Sequence, residues 1–75
     1  MYKIAVMGDY DSIYGFAAVG LDTYPLSDEK EAEKRLHQLV LSQYAVIYIT
    51  EEWAAKIPQA IDKYKDQILP AIIQI

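Results

Sequence analysis

Four carboxylates stand just past two apolar runs. Asp9 and Asp11 follow "YKIAVM" and Gly8, while Glu51 and Glu52 follow "YAVIYI" and Thr50. Carboxylate oxygens suit hard divalent cations, so one chemistry these residues offer is a metal site feeding phosphoryl transfer. The bland alternative is that Asp9 and Asp11 make turn and cap hydrogen bonds, as short acidic side chains do. A phosphate loop is a poorer fit. "GDYDSIYG" is neither G-x-G-x-x-G nor a lysine-bearing loop, and its two aspartates would repel a phosphate. His37 sits in a charged stretch with no serine or cysteine nucleophile context and reads as a surface histidine. Trp53, at helical spacing from Ile57, reads as core rather than as a binding platform. No catalytic set, metal ligand set or cofactor site is assigned.

Composition narrows the classes further. The chain has 75 residues, 53% of them apolar and 24% charged, which is the balance of one small globular domain spanning 1–75. Its net charge is −4, and its basic residues are mostly interleaved with acids, as in "DEKEAEKR". Nucleic-acid binding would need a basic surface to displace counterions, and none is visible. The absence of cysteine excludes disulfides, thiolate catalysis and zinc–cysteine sites. The opening "MYKIAVMGDY" is too short for a signal peptide or a membrane span, so the expectation is a cytoplasmic protein with no direct membrane insertion.

The elements that must position the carboxylates follow from local patterns. Tyr2 to Met7 is a short apolar run bounded by Gly8, the pattern of a buried parallel strand. Asp11 or Ser12 can cap a first helix with Ile13, Phe16 and Ala17 on its inner face, and Gly20 ends it. "LDTY" from Leu21 is a second strand closed by Pro25. Asp28 with Glu31 forms a capping pair for a helix to about Leu41, with Ala32, Leu36, Leu39 and Val40 as its apolar stripe. "YAVIYI" from Tyr44 is the strongest strand. Thr50 caps the next helix, where Trp53, Ile57, Ala60, Ile61 and Tyr64 share a side and Pro58 must kink or restart the chain. "PAIIQI" closes the chain as a fourth strand.

Strict β-α alternation implies a parallel sheet with right-handed crossovers and helices on both faces. Proline marks the second and fourth strands and belongs at sheet edges, which gives the order 2-1-3-4. The predicted fold is a small three-layer α/β domain of flavodoxin or receiver-like type, with the four carboxylates at the switch point between strands one and three. A phospho-accepting receiver would also need an aspartate ending strand three, where Ile49 and Thr50 stand, and a lysine on a fifth strand. What remains of that reading is a degenerate receiver-like or divalent-metal-binding regulatory module using Asp9, Asp11 and Glu51.

"KIAVMGDYDSIYGFAAVG" resembles the N-terminal signature of the F subunit of the V/A-type ATPases, in Gly8, Asp9, Asp11, Gly15, Phe16 and Gly20. "YAVIYITEEWAAKIPQAID" is similar to that family's third strand and following helix, and "LPAIIQI" to its last strand. The resemblance implies a non-catalytic part of a rotating central stalk, without a cofactor and peripheral to the membrane. Its implied partner is the coiled-coil D subunit and, through it, the catalytic hexamer, so that ATP hydrolysis or synthesis is coupled to proton or sodium transport. Family members continue past the last strand, so the resemblance makes this chain a truncated domain ending at Ile75. It also gives Gly15 the role of letting the first helix approach the sheet, Phe16 that of filling the core beneath, and the aspartates that of fixing the turn. Tyr10 and Tyr14 are then the candidate contact residues, since tyrosine is enriched at interfaces.

Overall fold

Tyr44–Ile49, uncharged and rich in β-branched and aromatic residues, forms the strand β3 around which the sheet is built. The structure, a computed structural model, describes residues 3–75; the Tyr2 start expected for the first strand lies outside the described residues. Strand β1 spans Lys3–Gly8, β2 Asp22–Pro25 and β4 Ala71–Gln74. All pairings are parallel and the order is β2-β1-β3-β4. This is the α/β arrangement predicted from the alternation, with both proline-marked strands at the edges.

Helix α2 runs Glu29–Val40 and begins as the capping pattern demands. The Glu31 amide donates to the Asp28 carboxylate at 2.8 Å. The Glu31 carboxylate reaches one residue further back than a standard capping box, accepting from the backbone N–H of Ser27 at 2.8 Å and from its hydroxyl at 3.1 Å. Ala32, Leu36 and Leu39 are its buried face. Pro58 restarts the next helix rather than bending it: α3 covers Glu51–Lys56, Ile57 breaks away at φ −128° and ψ 49°, and α4 covers Pro58–Asp62. At the first helical position proline sacrifices no hydrogen bond.

These three helices cover one face of the sheet, where Ala5, Met7, Leu36, Ile47, Ile49 and Trp53 form the main core. A register shift between Lys3 and Ile4 brings Tyr44 to this same face. Tyr44 is buried there; its hydroxyl donates to Asp22 at 2.7 Å and accepts from the hydroxyl of Tyr24. A carboxylate only accepts, which fixes both proton directions. Burial, reinforced by the hydrogen bond donated to the Asp22 carboxylate, pushes the Tyr44 hydroxyl far above the ordinary tyrosine range.

The first helix departs from expectation. It begins at Tyr10, with Asp9 rather than Asp11 or Ser12 in the cap position, and keeps α geometry only through Ile13. A 3-10 helix then carries Tyr14–Val19 to Gly20, whose φ of 89° ends it. Ile13 is fully buried, but Phe16 is only partly buried and Ala17 is exposed. A helix gains most of its stability from packing an apolar face. With one buried anchor and Gly15 in mid-course, little holds this segment in α geometry.

Candidate functional site

The loop after β1 and the end of β3 meet where the sequence places them, at the carboxyl end of the central strands. Their closeness is set by Gly8. A Cβ on Gly8 would lie 2.6 Å from Cγ2 of Thr50 and 2.9 Å from Cγ2 of Ile13. Gly15, expected to be the tight position, has no atom within 4 Å of where its Cβ would stand. The role foreseen for Gly15 therefore belongs to Gly8, and Phe16 lies at the rim rather than in the core. The helix enters the core through Ile13 at its first turn, while the later turn carrying Gly15 and Phe16 rests on β2 with open space over Gly15.

The acidic residues at this crevice are engaged locally or point outward. The Ser12 hydroxyl lies 3.0 Å from each Asp9 oxygen, and the Ser12 amide donates to the Asp9 carbonyl at 3.1 Å. Asp11 lies exposed in the first turn of α1, and Glu51 and Glu52 lie exposed in the first turn of α3, where acids complement the helix dipole. Thr50 caps α3 by accepting from the Trp53 amide at 3.4 Å. Among the described residues, no three histidine, aspartate or glutamate side chains gather closely enough to hold a metal ion. The metal reading of Asp9, Asp11 and Glu51 thus lacks an assembled ligand set.

Backbone groups at the crevice are spoken for as well. Leu26 N–H donates to the Gly8 carbonyl at 2.8 Å, Thr50 N–H to the Met7 carbonyl at 3.1 Å and Glu51 N–H to the Ile75 carbonyl at 3.1 Å. These bonds extend the sheet pairing past the strand ends.

What the segment offers instead is surface. Tyr10 and Tyr14 are 64% and 61% exposed, and their rings stack at 5.7 Å with 17° between the planes. Their spacing of four residues puts them on one side of the turn. Next to them, Ser12, Gly15, Phe16 and Val19 line an open, largely apolar groove of about 310 Å³. Val19 is 74% exposed. Sequence reasoning marked the two tyrosines but missed Val19 and the groove. The available signal was "GFAAV", which has more apolar residues than one helix side resting on a sheet can bury. His37 and Trp53 fall where expected: His37 is exposed, with Nδ1 2.7 Å from the Tyr64 hydroxyl, and Trp53 is core. Among the described residues no helix is long and apolar enough to cross a membrane.

Comparison with known proteins agrees with the geometry. The family model for the ATP synthase (F/14-kDa) subunit matches residues 4–75. The V-type ATP synthase F subunit of Clostridium perfringens is 45% identical over all of this chain and 72% of its own length. The A-type ATP synthase F subunit of Methanosphaera stadtmanae is 35% identical over 96% of this chain and 70% of its own length. The crystal structure of the Archaeoglobus fulgidus V-type ATP synthase F subunit superposes with a TM-score of 0.82, covering 99% of this chain and 96% of that one at 23% identity.

Proposed function

Since the chain belongs to the family of the ATP synthase (F/14-kDa) subunit, we propose that it serves as a non-catalytic component of the central stalk of a V/A-type rotary ATPase. In this reading it binds the coiled-coil D subunit and, through that partner, turns with the shaft that links the catalytic hexamer to proton or sodium transport. It works in the soluble sector, on the cytoplasmic side, peripheral to the membrane. The observation that carries the reading is the family match over residues 4–75, which runs through every strand and helix described above. The exposed aromatic pair supports it: Tyr10 and Tyr14 present large, rigid, amphipathic rings at little entropic cost, the kind of side chain that anchors protein interfaces. Asp9 and Asp11 serve the turn and first helix that hold these rings outward.

The test is stoichiometric complex formation. Mixed with the purified D subunit of the same complex, the chain should co-elute in size exclusion. Replacing both tyrosines, Tyr10→Ala with Tyr14→Ala, should weaken binding roughly tenfold or more, as loss of an interface anchor does. Failure of the parent chain to form any complex with this coiled-coil partner would sink the reading.

A further inference from the structure

The two faces of the sheet are covered unequally. Paired residues of parallel strands point the same way, so the register sorts the side chains. Ala5, Ile47 and Ile72 face α2, α3 and α4, whereas Val6, Tyr48 and Ile73 face the opposite side. On that second face α1 and the 3-10 helix pack over β1 and β2. A helix is about 10 Å across and strands lie about 4.8 Å apart, so one helix covers roughly two strands. The first face has two helical layers' width for its four strands, from α2 and from α3 with α4. The second has a single helical segment. What remains open among the described residues is one helix-wide strip along β3 and β4, made of Val46, Tyr48, Ala71, Ile73 and, past the strand end, Ile75. Ile73 and Ile75 are 43% and 44% exposed.

Charge decides what fits this strip. Of the seven basic residues, Lys3 lies over the Tyr44 ring on the first face, at 5.6 Å, and the other six are in α2, in α3 or just after α4. None lies in α1, the 3-10 helix, β3 or β4, the elements that build the second face. The charged residues that directly follow the carboxyl ends of β1 and β3 are acidic: Asp9 and Asp11 after β1, and Glu51 after β3, whose amide donates to the Ile75 carbonyl. A second copy of this chain, itself at −4, would set these acids against their like. A partner with lysine or arginine beside an apolar stripe would be drawn in.

We propose that the open strip on β3 and β4 seats an amphipathic helix of a partner protein. Its apolar stripe lies along Val46, Tyr48 and Ile73, and its basic residues meet Asp9, Asp11 and Glu51. The proposal rests on the stalk reading and locates the main docking seat on the sheet, with Tyr10 and Tyr14 as its flank. The probe is the purified coiled-coil D subunit. Ile73→Glu with Ile75→Glu should weaken binding at least tenfold; both residues are already nearly half exposed, so the circular dichroism spectrum should not change. Binding by the parent chain should weaken with added salt, and Asp9→Asn with Asp11→Asn should flatten that dependence. Hydrogen exchange on the parent complex, which needs no variant to fold, should show new protection at 46–48 and 71–75. If the glutamate variants bind as the parent does, or if protection falls on α2 and α4 instead, the strip is the wrong surface while the stalk reading stands. If the parent chain does not bind the coiled coil at all, both fall together.

Discussion

Gly8 and Gly15 have opposite surroundings, and their substitution should have opposite signs. Gly15 has an open Cβ position and a backbone outside the left-handed region. Gly15→Ala should therefore stabilise by about 0.4–1 kcal/mol, by restricting the unfolded chain and improving helix propensity. At roughly 4–8 °C per kcal/mol for a domain of this size, a thermal melt will detect it. Gly8→Ala must push against Thr50 and Ile13, and should cost about 1–3 kcal/mol. Thr50→Ser removes the methyl group behind the shorter contact while keeping the capping oxygen. In the Gly8→Ala background it should recover part of the loss, and a double-mutant cycle on melting temperatures would read that coupling. Tyr44 supplies a second residue-scale test. Its hydroxyl ionises far less readily folded than unfolded, so the folded state holds the proton longer. Stability from this group is then complete below about pH 10, the ordinary tyrosine value, and declines as pH rises beyond it. Tyr44→Phe should lower stability by about 1–3 kcal/mol at neutral pH, because Asp22 and Tyr24 lose their shared partner. It should also flatten the alkaline decline, seen as melting temperature against pH from about 8 to about 11.

Helix α2 shows how an element depends on its first residue. Asp28 accepts from the Glu31 amide, and Glu31 in turn holds Ser27. Behind this start, Ala32, Leu36 and Leu39 enter the core. Asp28→Ala removes the acceptor from an N-terminus that has no other intrahelical partner. The expected cost is about 1 kcal/mol, visible as a lower denaturant midpoint with an unchanged slope, since the fold still buries the same surface. A change in slope would mean instead that α2 frays well beyond its first turn.

For the molecule as a whole, the carboxyl end of the sheet is where a ligand site of this architecture would form. Here the Met7, Gly8 and Ile75 carbonyls are paired past the strand ends, Asp9 is bound to Ser12, and Glu51 and Glu52 are exposed. Millimolar magnesium should therefore leave the amide NMR spectrum flat. Shifts gathered at 8–11 and 50–52 would contradict this and restore the metal reading. The large apolar side chains that are exposed lie elsewhere: on the first helical segment, at Leu41 after α2, at Ile68 and Leu69 before β4, and on and just past β4.

Patterns with local causes held, except in the first helix, whose cap and inner face lie elsewhere than its local pattern indicated. β3 was legible from an uncharged β-branched run, α2 from a cap and a stripe within a few residues, and the restart at Pro58 from a missing N–H. Alternation of such elements set a parallel sheet, and the prolines that mark the second and fourth strands as edges set the order β2-β1-β3-β4. The first motif also carried the family resemblance, through Gly8, Asp9 and Gly15. Other features depended on where distant segments come to rest. Gly8 is the crowded glycine because Thr50, at the far end of the chain's third strand, arrives against it. No pattern around Gly8 or Gly15 tells them apart, since crowding belongs to the neighbour and not to the glycine. The contact of Tyr44 with Asp22 needed a register shift that brings it to the core face. The carboxylates adjacent in outline do not gather into a ligand set among the described residues. Spacing sets which residues share an element, but only packing sets which elements touch and which faces stay uncovered.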